Sequence, residues 1–121
     1  MNNNQEQARL TAQLQRLEQF GSILAIAHEQ IRPRQLVLLT QIAEHPGLTQ
    51  TELANRVGIT QAAMSRNMDT LGTSGRRGRE AVGLGWIESK DDPTDDRPNR
   101  IFITEEGQRV LALLLACLWP E

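Results

Sequence analysis

LTQTELANRVGITQAAMSRNMDTL, residues 48–71, reads as a helix, a tight turn and a second helix. Thr49 followed three residues later by Glu52 predicts a capping box, in which the hydroxyl accepts an orphan backbone N–H and the carboxylate reaches back to the cap. The helix so started carries Leu53, Ala54 and Val57 on one face; Gly58 then supplies the permissive backbone for a turn that Ile59 anchors by pointing inward. Thr60 caps the next helix. There Met64, Met68 and Leu71, spaced by four and three, form one apolar stripe and leave Gln61, Ala62, Ser65, Arg66 and Asp69 on the flank and the opposite side. Small side chains beside amide, hydroxyl and guanidinium groups suit a helix laid into a DNA major groove, where close approach and hydrogen bonding to base edges and phosphates are both required. An ordinary helical hairpin with a solvated polar face has the same spacing, so the flanking sequence decides between them.

Downstream, GTSGRRGREAVGLG (residues 72–85) holds five glycines and three arginines without sustained periodicity and reads as a loop. It is no phosphate-cradling loop, because no strand precedes it and no Lys-Ser or Lys-Thr pair follows. Trp86 to Ser89 and Asn99 to Thr104 read as strands, the second with Ile101 and Ile103 on one face, and the charged, proline-containing turn between them makes a wing. Upstream, Leu10, Leu14 and Leu17 mark an amphipathic helix continued by Phe20, Leu24, Ala27 and Ile31, about 25 residues by pattern and longer than a small domain usually needs. Arg32-Pro33 ends it, and Pro33 starts a helix carrying Leu36, Leu38, Leu39 and Ile42 that stops around His45-Pro46-Gly47. Neither His28 nor His45 has a ligand-like context; each sits near a helix end, where imidazole packs or caps.

Thr104 predicts a cap for the last helix, whose first turn holds Glu105 and Glu106, as the helix dipole prefers. Val110, Leu111, Leu113, Leu114, Leu115 and Leu118 then surround more than one narrow stripe, and a helix apolar nearly all round must be buried nearly all round. A two-fold dimer, in which Leu111, Leu114, Leu115 and Leu118 meet Leu10, Leu14 and Leu17 of the first helix, accounts for both terminal helices. The expected fold is mainly α with a small antiparallel β-ribbon: a winged helix-turn-helix with N- and C-terminal dimerisation helices. All of it falls in a single domain over residues 1–121, with dimerisation elements at about 5–31 and 105–119, the hairpin at 49–71, an inserted loop at 72–84 and the wing at 85–104.

Formal charge is −2, so no global basic signature exists. Its distribution is more telling: Met1 to Ile31 has two basic against three acidic residues (−1), Arg32 to Arg79 seven against three (+4), and Glu80 to Glu121 four against nine (−5). The positive segment contains the hairpin, where phosphates would lie. Arg76, Arg77 and Arg79 in the loop are candidates for contacting a DNA backbone. A single cysteine, Cys117, excludes an internal disulfide and a multi-cysteine zinc site, and its place in an apolar run reads as a small buried hydrophobe. With no Tyr, two Phe and two Trp, the chain lacks the rings for a base-stacking platform on single strands. No nucleophile-base pairing, metal-ligand cluster or cofactor motif stands out, and no signal peptide or membrane span; a cytoplasmic, non-enzymatic protein is expected.

The combined pattern resembles the MarR family of dimeric winged-helix transcription regulators. Its matching residues are Gln35, Leu38 and Leu39; Thr49, Glu52, Leu53 and Ala54; Gly58 and Ile59; Met64, Ser65, Arg66, Met68, Asp69 and Leu71; Gly85, Ile87 and Glu88; Asp92, Pro93, Asp95 and Arg97; and Thr104 and Gly107. The resemblance implies a homodimer binding specific double-stranded DNA. Thr60, Gln61, Ala62, Ser65 and Arg66 would then lie on the recognition helix in the major groove, and Arg97, held outward by Asp95, in the minor groove. It also implies a small aromatic effector bound between the dimer helices and the DNA-binding lobe. Two departures stand out: the connection from Leu71 to Gly85 is roughly ten residues longer than the family's, and the sequence ends at Glu121, which shortens the C-terminal helical part of the interface. A regulator, more simply a repressor acting by operator occlusion, is the leading expectation. The alternative is a winged-helix accessory protein for DNA organisation, replication or protein contact, of plasmid or phage type.

Overall fold

The computed structural model describes residues 2–27, 31–72, 83–90 and 99–120. The elements are α1 (Asn3–Ala27), α2 (Pro33–Glu44), β1 (Leu48–Thr49), α3 (Gln50–Val57), α4 (Gln61–Leu71), β2 (Ile87–Lys90), β3 (Arg100–Ile103) and α5 (Glu105–Leu118). The chain divides into two compact units: Arg32–Gln108, and Met1–Ile31 together with Arg109–Glu121.

In the first of these units, α2 starts where Pro33 requires, after an extended Arg32. The Arg32 backbone N–H donates to Gln35 Oε1 at 3.0 Å, which gives a partner to the amide oxygen of a glutamine that is almost completely buried. Leu38, Leu39 and Ile42 lie fully buried on the same helix. The capping box forms as the sequence predicts: Glu52 N–H donates to Thr49 Oγ1 at 3.2 Å, and Thr49 N–H donates to Glu52 Oε1 at 3.4 Å. Gly58 ends α3 in the left-handed region (φ 80°, ψ 39°), and its N–H closes on Ala54 O at 2.9 Å. Ile59 N–H shares that carbonyl at 3.0 Å, and Thr60 Oγ1 then accepts the Ala63 N–H at 3.1 Å to open α4.

The expected two-stranded ribbon is a three-stranded antiparallel sheet, ordered β1-β3-β2. Ile87 pairs with Ile103 and Lys90 with Arg100, while Leu48 and Thr49 pair with Ile101 and Arg100. β1 is only two residues long and gives no alternating pattern that periodicity could detect. Ile87 and Ile101 enter the core, and Trp86, just before β2, is buried beside them in sequence.

Trp86 also holds three elements together through its backbone. Its N–H donates to Leu71 O at the end of α4 (2.9 Å), and its carbonyl accepts the Thr104 N–H at the start of α5 (3.0 Å). Thr104 Oγ1 donates to Gly85 O at 2.6 Å and accepts the Gly107 N–H at 3.1 Å, so the cap expected there also fastens α5 to the approach of β2. Gly107 crosses the Trp86 carbonyl so closely that a Cβ on it would collide with the oxygen.

In the other unit, α1 covers Asn3–Ala27 and buries no residue, and Ile31 is not helical. Leu10, Leu14 and Leu17 are 47%, 54% and 60% exposed. On α5, Val110, Leu114 and Cys117 are buried, Leu111 is half-buried, and Leu113, Leu115, Leu118 and the following Trp119 are exposed.

Gly107→Ala should destabilise the protein by about 1–3 kcal/mol, the typical cost of overpacking, despite the gain of about 1 kcal/mol that alanine brings to a helix interior. Urea unfolding should show a lower midpoint at an unchanged slope.

Candidate nucleic-acid interface

The residues expected to read DNA are brought together at one end of α4. Thr60, Gln61, Ala62, Ser65 and Arg66 are all exposed, while Met64 and Leu71 on the opposite stripe are fully buried. Other polar groups of α4 are engaged with the helix itself: Asn67 Nδ2 donates to Ala63 O at 2.8 Å and Thr70 Oγ1 to Arg66 O at 3.2 Å. Asp69 is half-buried. The N-terminal half of the helix therefore presents an amide, a methyl, a hydroxyl and a guanidinium on adjacent turns, in the first turn's positive dipole field.

Contacts that sequence reading missed support this face from behind. Gln50 Nε2, on the first residue of α3, donates to Ser65 Oγ at 3.4 Å. Arg56 Nε donates to Gln41 Oε1 at 2.7 Å, and its terminal nitrogen lies 2.7 Å from His45 Nε2, tying α3 to the end of α2. Arg56 is thus partnered though exposed, and Arg66 is the one basic residue of the hairpin's second helix. Because these pairs sit fifteen and eleven residues apart, no helical period links them.

The inserted loop is described only at its ends. Leu84, Gly85 and Trp86 donate their backbone N–H groups to the carbonyls of Thr70, Gly72 and Leu71, each at 2.9 Å. The loop therefore leaves and returns at one place, the C-terminal end of α4. Arg76, Arg77 and Arg79, and Asp95 and Arg97 of the wing, lie outside the described residues, as does His28.

A pocket of about 220 Å³ is lined by Ile42, Ala43, Pro46, Phe102, Ile103 and Gln108, with no charged side chain among them. Among the described residues no group of three or more His, Cys, Asp and Glu side chains is placed to hold a metal ion, and no described helix is long and apolar enough to cross a membrane.

A capped helix-turn-helix flanked in sequence by the strands of a three-stranded antiparallel sheet defines a winged helix-turn-helix protein. The MarR family model matches residues 31–75, which span α2, β1 and the whole hairpin. The structure is similar to RV1404 from Mycobacterium tuberculosis (TM-score 0.66, 22% identity, covering 98% of this chain and 75% of that one). It is also similar to MarR (TM-score 0.61, 24% identity, 92% and 73%). A third similar structure is the transcriptional repressor CouR, bound to a 23-mer DNA duplex (TM-score 0.58, 26% identity, 93% and 71%). No curated protein matches the chain in sequence.

Arg56 can donate to His45 Nε2 only while that nitrogen keeps its lone pair, so the neutral ring carries its proton on Nδ1. Imidazole ¹⁵N shifts of the neutral ring should report the Nδ1–H tautomer of His45, and Arg56→Ala should abolish that preference.

Proposed function

We propose that this protein is a transcriptional regulator, acting in the cytoplasm as a homodimeric repressor on a pseudo-palindromic DNA site. The observation that carries the proposal is the exposed polar N-terminal face of α4, held outward by Met64 and Leu71, which are fully buried on the other side. Gln61, Ala62, Ser65 and Arg66 read base edges in the major groove and Thr60 binds phosphate. Arg97, oriented by Asp95, enters the adjacent minor groove, where a narrow A·T-rich groove concentrates negative potential. Arg76, Arg77 and Arg79 add phosphate contacts from a loop anchored at the end of α4, and so add affinity without specificity. The fold shared with the DNA-bound CouR supports this use of the scaffold.

Dimerisation is supported by the unpartnered apolar side chains of the terminal helices: Leu10, Leu14 and Leu17 on α1, and Leu115 and Leu118 on α5. Leu114, expected at the same interface, is 3% exposed within the single chain, and Leu111 is half-buried. Occupying two half-sites requires the two recognition helices to lie about 34 Å apart, one turn of DNA. Effector control is part of the same reading, with a small aromatic molecule as the ligand class.

Footprinting on the DNA flanking the protein's own gene tests the proposal. One short protected pseudo-palindrome supports it; uniform coating indicates a DNA-organising protein, and no protection indicates a protein adaptor.

Gln61→Ala or Arg66→Ala should each weaken binding to that site by about 1–3 kcal/mol and relax preference at particular base pairs. Unchanged affinity and preference in the double variant would exclude α4 as the reader. Light scattering at micromolar concentration should give a dimer mass for the wild type and a monomer or insoluble protein for the double variant Leu115→Glu, Leu118→Glu. A monodisperse wild-type monomer would refute the dimer and the palindrome with it.

A further inference from the structure

Ser65 has one hydroxyl proton to give and two lone pairs to offer, so by itself it cannot distinguish a donor from an acceptor on a base edge. Its neighbour biases that choice. Gln50 Nε2 donates to Ser65 Oγ across the hairpin at 3.4 Å, which occupies a lone pair of the hydroxyl and turns its proton away from α3. Helical hydroxyls often spend that proton on the carbonyl one turn back, as Thr70 does on Arg66 O at 3.2 Å. Among the described residues no acceptor takes the Ser65 proton, and the side chain is exposed.

We infer that Gln50 is a specificity-positioning residue: by occupying one lone pair of Ser65 it biases the hydroxyl toward donating a hydrogen bond to DNA. The inference rests on the DNA-reading role proposed above for α4. In the major groove the acceptors are guanine O6 and N7, adenine N7 and thymine O4, whereas cytosine presents only its N4 donor. A serine held as donor accepts guanine, adenine or thymine at its step and disfavours cytosine.

Selection from a randomised duplex DNA library, using the full chain, tests this. The wild type should enrich a motif that excludes cytosine at one step, and Ser65→Ala should admit cytosine at that step alone. Gln50→Met, similar in length but without the donor, should admit cytosine at the same step by about 2- to 10-fold, the worth of one hydrogen bond, with every other step unchanged. Gln50→Glu, which only accepts, should draw the serine proton inward and favour cytosine there. A uniform loss across all steps, or an unaltered motif in both Gln50 variants, would overturn the inference while leaving α4 as the reader. A wild type that enriches no motif would overturn the reading of α4 and this inference together.

Discussion

The orientation of α4 about its own axis is the constraint on which the functional face depends. It is set by Met64 and Leu71, both without solvent exposure, and burying each such side chain contributes about 1.5–3 kcal/mol. Rotating the helix to bury Gln61 or Arg66 instead would forfeit that term and desolvate polar groups without partners. The ends are fixed as firmly as the face. Thr60 caps the first turn, and the carbonyl of Leu71 is held by the backbone N–H of Trp86. Trp86 in turn accepts from Thr104, so the end of α4, the sheet and the start of α5 form one hydrogen-bonded junction. A helix gripped at both ends and along one side presents its remaining surface in a defined geometry, which recognition of base edges requires.

Much of this was legible in the sequence because it is local. The Thr49–Glu52 box, the left-handed Gly58 and the Thr60 and Thr104 caps each involve residues within a few positions, and the stripe from Met64 to Leu71 follows helical period. Non-local features were not legible. β1 is two residues long and exists because Leu48 meets Ile101, which lies far along the chain. Gln50 with Ser65, and Arg56 with Gln41 and His45, join different helices and leave no spacing signature. In α5 the run VLALLLACL is apolar almost throughout, so pattern alone could not separate buried Leu114 from exposed Leu115.

An acidic chain can still bind a polyanion if its charge is segregated. The segment from Arg32 to Arg79 is positive, and part of the excess sits in the loop whose two ends join at the C-terminus of α4. Within the hairpin only Arg56 and Arg66 are basic, Arg56 keeping its charge while it hydrogen-bonds Gln41 and His45, and the other cations of the segment lie beyond its two helices. That division favours readout by short polar side chains over binding by charge alone, with affinity that depends on salt through a small number of phosphate contacts.

Methylation interference on the protected DNA is the most direct test of the central claim that α4 reads the major groove. Methylating guanine N7 places a group in the major groove where Gln61, Ser65 and Arg66 would approach. The account predicts that binding is blocked by N7 methylation in two patches one helical turn apart on the same face of the duplex. Binding unaffected by N7 methylation anywhere in the site would contradict it.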